Sequence, residues 1–326
     1  MTRSTLALVL AATTSACSSC TPAFRDCPTV PEERLAALPA RLSDTGLYAN
    51  LQSETLAPGV APFVPRFELW SDGATKRRWI YLPPDAQIDT SDPDAWHFPP
   101  GTKLWKEFTR DGTRVETRLL YKHGGEPGDW TMAAYVWREP DDAELAPAGG
   151  DDVGGTPHDV PSASQCLGCH GGTRSGVLGF SAVQLPERGT GGALGIAELA
   201  AAGRLTTPVS PTAIPGDETA RMALGYLHAN CSHCHNQRRP EREGPRCFDP
   251  ERSFDFALRT GELDAVTSTA TYRTAIGSVI TAGKPEDSDV MRRVRSRDIW
   301  WGMPALGTEI VDDVGVQLLE RWIQSL

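Results

Sequence analysis

The stretch HANCSHCHN, residues 228–236, contains two cysteines and three histidines. A Cys-x-x-Cys pair can hold zinc, act as a redox dithiol or attach a cofactor covalently, so the pair alone does not choose between these chemistries. The chain contains a second pair of the same form, because CLGCH at residues 166–170 matches CSHCH at residues 231–235. Each cysteine pair is therefore followed at once by a histidine.

The repeated pentapeptide Cys-x-x-Cys-His is the attachment sequence for c-type haem. A zinc ribbon would place its cysteine pairs about 15 to 20 residues apart, whereas residues 170–230 separate the pairs here. A thioredoxin-like site needs a βαβ pattern that neither pair has, and strained disulfides within the pairs would not require histidine. The sequence predicts two covalently bound c-type haems, with thioether anchors and proximal iron ligands at these positions: Cys166, Cys169, Cys231 and Cys234 as anchors, His170 and His235 as ligands.

The chain ahead of these motifs has a β pattern. Residues 46–140 contain short alternating apolar runs broken by Pro, Gly and Asp, and Asp111-Gly112 between two such runs predicts a tight hairpin. In the second strand, Val115, Thr117, Leu119 and Tyr121 would share one face. Six tryptophans favour core packing, although a tryptophan-lined sheet can also bind sugars: Trp70, Trp79, Trp96, Trp105, Trp130 and Trp137. The region predicts an antiparallel, sandwich-like β domain.

The remainder of the chain has a helical pattern. Residues 141–161 are acidic and rich in Gly and Pro, which is typical of a linker, and residues 162–326 follow as the predicted dihaem region. Ser162 with Gln165 forms a capping-box pattern before the first motif, and Asp217 is a candidate N-cap of the helix that enters the second. The last helix has an apolar stripe: Val311, Val314, Leu318 and Trp322, widened by Leu319, Ile323 and Leu326. The expected fold class is α+β multidomain, a β-sandwich-like domain followed by a mainly α cytochrome c-like region.

The first 20 residues have the features of an export leader, with a weakly basic start and a short apolar run. Cys17 follows small residues and is a candidate for lipidation, with Cys20 as a competitor, and residues 21–45 would form a tether. We therefore expect an exported bacterial protein, periplasmic or anchored to the membrane through Cys17. In an oxidising compartment the remaining thiols would form disulfides, and Cys27 with Cys247 is one pairing among several.

The chain has 326 residues and a formal net charge of −10. This acidity argues against binding of nucleic acid through a basic surface. An acidic surface also fits a soluble redox partner with a basic docking patch.

Residues 217–326 resemble a class I c-type cytochrome domain, with a helix entering Cys-x-x-Cys-His, a loop that contains methionine, and a C-terminal helix with an aromatic residue. In that fold a small and a larger residue of the first helix pack on the last, and Ala223, Leu227 and Trp322 match those positions. The segments WSDGA, FPPGTKLWKEF, ETRLL, CLGCH, LGFSAVQL, YLHANCSHCHN and MPALG further resemble a family of exported bacterial dihaem cytochromes with no assigned role. The resemblance covers residues 45–326 and implies an N-terminal β domain with two c haems.

The resemblance places Met303 as the distal ligand of the second haem, and His/Met ligation raises a haem's reduction potential. For the first haem, His228 is the chosen candidate. The alternatives are His158, Met222, His97, His123 and Met132, or an open iron. His233, inside the second motif, is expected in solvent.

These patterns predict a single-electron carrier between periplasmic or membrane-associated redox partner proteins rather than a catalyst. Two other functions remain open. One is a dihaem peroxidase or oxidase with an open first haem. The other is a ligand-binding β module that is coupled to the haems as electron acceptors.

Overall fold

The computed structural model describes residues 30–139, 141–240, 250, 253–298, 300–305 and 307–326, with mixed α and β content. The strands are β1 (Tyr48–Asn50), β2 (Thr55–Leu56), β3 (Val60–Pro62), β4 (Thr75–Tyr81), β5 (Lys103–Arg110), β6 (Thr113–Lys122), β7 (Trp130–Glu139) and β8 (Asp142–Leu145). The helices are α1 (Glu32–Ala36), α2 (Ala163–His170), α3 (Ile196–Ala201), α4 (Glu218–Cys231), α5 (Ala270–Ala275), α6 (Asp289–Val294) and α7 (Asp313–Ser325). The predicted leader and the four cysteines Cys17, Cys20, Cys27 and Cys247 lie outside the described residues.

Strands β3 to β8 form one antiparallel sheet in chain order, so each strand pairs with the next. The antiparallel prediction is confirmed, but the structure has a single six-stranded sheet with a small β1–β2 pair rather than two large packed sheets. Strand β8 lies within the range predicted as a linker. Because β8 pairs with β7, this part of the range belongs to the sheet. None of the helices in the described ranges combines the length and the apolar character needed to cross a bilayer.

The predicted hairpin joins β5 to β6. Asp111 and Gly112 have φ values of 49° and 81°, as a two-residue turn with a primed geometry requires. A bulge interrupts the pairing after Phe108, so Val115 packs with Phe108 instead of joining Leu119. The expectation that Val115 shares a face with Thr117, Leu119 and Tyr121 is therefore wrong, because one inserted residue reverses the alternation.

Both faces of the sheet are covered. One face packs against residues 35–56, including Leu38 and Leu42, so the described part of the predicted tether is a packing arm. The other face packs against the first Cys-x-x-Cys-His segment, because Leu104, Leu120 and Cys166 belong to one buried cluster. Five of the six tryptophans are buried, as core packing predicts: Trp79, Trp96, Trp105, Trp130 and Trp137.

Helices α4 and α7 pack against each other in the helical part. Ala223, Leu227 and Trp322 are all buried in one cluster, as the cytochrome-like pattern predicts. The predicted stripe on α7 is partly wrong, since Val314 is 77% exposed. Val316 is buried in its place, because the packed face of α7 is rotated toward residues 316, 319, 322 and 323.

Candidate functional site

A cavity with a volume of about 530 Å³ lies between the sheet and the helical part. Its wall includes all four motif cysteines and both predicted proximal histidines: Cys166, Cys169, His170, Cys231, Cys234 and His235. Met303 lines the same cavity. Seven of the eight site residues predicted from the sequence are therefore brought to one place, although long stretches of chain separate them.

Helix α2 presents the first motif. Ser162 accepts a hydrogen bond from the Gln165 amide, and the Gln165 side chain accepts one from the Ser162 amide, so the predicted capping box is confirmed. At the end of the helix, His170 Nδ1 lies 2.8 Å from the Gly176 carbonyl oxygen. A carbonyl can only accept, so Nδ1 carries the proton and Nε2 keeps its lone pair. Metal-binding histidines are commonly held in this way, with the ring nitrogen that does not bind the metal donating to a backbone carbonyl.

Helix α4 presents the second motif. Asp217 caps the helix by accepting a hydrogen bond from the Ala220 amide at 2.8 Å, as predicted. The helix ends at Cys231, and the ring of His235 stacks on Phe254 at 4.8 Å between centroids. Phe256 contacts both rings, that of His235 edge-on at 6.2 Å and that of Phe254 at 5.2 Å between centroids. Two aromatic rings thus fix the orientation of His235.

The two motifs are joined directly to each other. Arg239 is buried and donates to the carbonyl oxygens of His233 and Gly168, at 2.5 and 3.1 Å. Asn236 donates to the carbonyl oxygens of Gly172 and Ser232, at 3.2 and 2.6 Å. A Cβ atom at Gly172 would lie 1.7 Å from the His233 carbonyl oxygen, so only glycine permits this backbone approach.

The second cysteines of the two motifs face each other. Cys234 donates a hydrogen bond to Cys169, which lowers the pKa of the Cys169 thiol, and His233 also hydrogen-bonds Cys169. His233 is only 5% exposed, so its predicted position in solvent is wrong. Packing of the motifs against each other buries it. All four motif cysteines are free thiols.

The β domain holds the loop that contains Met303. Asp72 accepts hydrogen bonds from the amides of Glu309 and Ile310 at 2.8 to 3.0 Å, and the Trp70 ring donates to the Ile310 carbonyl. The Trp70 amide donates to Asn230 on α4 at 2.7 Å. The segment WSDGA, conspicuous in the sequence but without a predicted role, therefore connects this loop to the second motif.

His228, the eighth predicted site residue, does not line this cavity. Its Nδ1 accepts a hydrogen bond from the Leu258 amide at 3.1 Å, and burial lowers its pKa to about 4. Its role as a ligand of the first haem stays a prediction.

The alternative ligands have other surroundings. His158 lies 2.9 Å from Glu116, His97 contacts the Gly125 carbonyl, His123 contacts Thr131, and Met222 is exposed. Within the described ranges, Met132 alone of the five lines the cavity.

Replacing Asn236, whose side chain donates hydrogen bonds to Gly172 and Ser232, should loosen the contact between the motifs. We expect Asn236→Ala to lower the free energy of unfolding by about 1–3 kcal/mol, because two buried carbonyls lose their donor. Denaturant unfolding measures this, with Gln237→Ala as the exposed neighbouring control. Equal stability of the two variants would show that the two Asn236 hydrogen bonds do not stabilise the fold.

Fold and site together define a mixed α/β protein with paired Cys-x-x-Cys-His segments around one cavity. No family model, curated protein or solved structure matches this chain at a significant level. In the described part of the chain, no three side chains of His, Cys, Asp or Glu are grouped to hold a metal ion. A haem iron needs at most two protein ligands, because its porphyrin supplies the others.

Proposed function

We propose that this protein is an exported dihaem c-type cytochrome that transfers single electrons between redox partner proteins. One observation carries the proposal: both Cys-x-x-Cys-His segments and Met303 line a single largely apolar cavity. Haem, when bound, supplies one-electron chemistry at its iron.

The residues at the cavity fit covalent attachment of haem. Each cysteine can add across a vinyl C=C bond, with its sulfur forming the C–S bond and its proton passing to the neighbouring carbon. No oxidant is consumed in this addition, and it requires the free thiols found here. His170 keeps the Nε2 lone pair available for iron because Nδ1 donates to Gly176. His235 is held by Phe254, and Met303, which lines the same cavity, is the proposed sulfur ligand of the second haem.

The short connection between the motifs supports transfer between two close cofactors. Cys169 and Cys234 are in contact, and Arg239 and Asn236 fix the two backbones to each other. A rigid arrangement suits electron transfer, since little protein rearrangement then accompanies each change of charge.

Mass spectrometry and redox titration test the proposal on protein produced in cells that mature c-type cytochromes. We expect the intact mass of two covalently attached haems and two one-electron transitions. A mass that corresponds to one haem or none would refute the dihaem assignment. Rapid peroxide turnover with a reduced donor, at a high-spin haem, would instead favour the peroxidase alternative.

A further inference from the structure

The cavity wall formed by the sheet contains an unusual row of positive charges. Arg78 on β4, Lys106 on β5 and Arg118 on β6 lie directly opposite one another in register. We call these three side chains the cation row. Like charges at facing positions of neighbouring strands repel each other and destabilise a sheet. All three residues line the cavity that contains the cysteine motifs.

Carboxylates satisfy the two ends of the cation row but not its centre. Arg78 pairs with Glu68 at 2.9 Å, and Arg118 forms two hydrogen bonds with Glu116, at 2.5 and 2.9 Å. Lys106 makes no hydrogen bond or ion pair with any of the residues that the structure describes. Its ammonium lies 4.7 Å from the Phe108 ring centroid, a weaker contact than a carboxylate would give.

The lowered pKa of Lys106 also indicates that an anionic partner is missing at the centre of the row. Burial, together with Arg78, Arg118 and Lys76, lowers the pKa of Lys106 well below its usual range. An anion beside the amine would remove this penalty, since an opposite charge favours the protonated form. The chain as a whole is acidic, with a formal net charge of −10, so a buried excess of cations is the exception here.

A row of apolar side chains lies next to the cation row on the same face of the sheet. Ile80, Leu104, Leu120 and Met132 pair across the strands two residues from the cation row, which is about 7 Å at the rise of a strand. Cys166 packs into the same cluster as these apolar side chains. An apolar row beside a cysteine anchor is thus followed by a row of cations on one continuous face.

A porphyrin of the haem type has this polarity. Its vinyl groups, which form the thioether bonds, and its propionate carboxylates lie at opposite edges of the ring. We propose that the cation row binds the propionate carboxylates of the haem attached at Cys166 and Cys169, with Lys106 as the central contact. The inference rests on the proposed function, since it requires haem at the first motif.

Lys106→Gln in the full two-haem protein tests the inference by redox titration and resonance Raman spectroscopy. A nearby positive charge favours the reduced haem, so its loss should lower one midpoint potential. We expect about a tenfold change in the ratio of reduced to oxidised haem, which is about 59 mV for a one-electron couple. The propionate bending band of that haem should also shift. The haem affected should be the one whose spectrum a change at Met303 leaves intact.

Two variants serve as controls. Lys103→Gln removes the same charge from the same strand, but Lys103 contacts Thr45 and Tyr121 on the other face, so neither potential should change. Lys106→Arg keeps the charge and should retain the wild-type potential and Raman band, which separates a loss of charge from a loss of folding.

Three results would overturn the inference. The first is an unchanged potential and Raman band in Lys106→Gln. The second is conversion of the first haem to high spin in that variant, which would make Lys106 an iron ligand. The third is a wild-type potential that depends on added acetate, which would show that the row binds free carboxylates. Failure of the proposed function is distinguishable, because the wild-type mass would then lack two haems.

Discussion

Replacing both Cys231 and Cys234 with serine is expected to reduce the covalent haem content from two to one. Serine keeps the size of the side chain but cannot form the thioether, so the second haem would be lost on denaturation before mass measurement. The first motif lies on a separate helix and keeps both of its own thiols. Intact mass under denaturing conditions gives the count directly.

The reciprocal variant, with serine at Cys166 and Cys169, is the matched control and should also retain one haem. The two single-haem proteins should differ in spectrum and potential if Met303 is, as proposed, a ligand of the second haem alone. Retention of both haems in either variant would contradict the assignment of that motif. If a double variant fails to fold, the single change Cys231→Ser tests the same bond: both haems should stay attached through the remaining anchors, but one vinyl group of the second haem should remain unreacted, which the optical spectrum of the denatured protein reports.

Local sequence signals predicted the elements that carry the motifs. Asp111-Gly112 sets its own turn, Ser162 and Gln165 cap each other, and Asp217 caps α4. In each case the interacting groups lie within four residues, so the chemistry that fixes the structure is visible in a short stretch. The predicted roles of the cysteines rest on equally local spacing.

Features that depend on tertiary contacts were not predictable in this way. The burial of His233 results from packing against the first motif, and the exposure of Val314 depends on how α7 is rotated against α4. Asp72 accepts a hydrogen bond from Ile310 in the Met303 loop, and Asn230 on α4 accepts one from the Trp70 amide. Both bonds join residues that are far apart in the chain. A single sequence reports hydrophobic periodicity, but it does not report which partner an apolar face meets.

The cation row is likewise a feature that the sequence alone did not predict. Arg78, Lys106 and Arg118 occupy three strands, and their alignment follows from the register of β4, β5 and β6. The bulge after Phe108 sets this register, because without the extra residue in β6 the pairing that starts at the turn would place Thr117, not Arg118, opposite Lys106. Lys106 and Arg118 lie on different strands and are too far apart in the sequence for a local pattern to connect them. Their common surface therefore emerges only from the folded sheet.

Replacing Met303 with alanine is expected to convert the second haem to a high-spin or water-bound state and to lower its reduction potential. The thioether sulfur of methionine favours the reduced iron, so its loss should change the ratio of reduced to oxidised haem more than tenfold, or by more than about 59 mV. The loop itself should persist, because Arg297 and Arg293 bind the Met303 backbone rather than its side chain.

Met303→His refines the same test, since imidazole restores a strong sixth ligand. That variant should be low-spin yet have a lower potential than the wild type, because the sulfur donor raises the potential of a haem. Met222→Leu is the control, as Met222 is exposed on α4 and outside the cavity. Optical spectra and redox titration of all three variants distinguish the outcomes. A low-spin wild-type spectrum that survives in Met303→Ala would exclude Met303 as a ligand, whereas a change confined to one haem would assign it to the motif at Cys231 and Cys234.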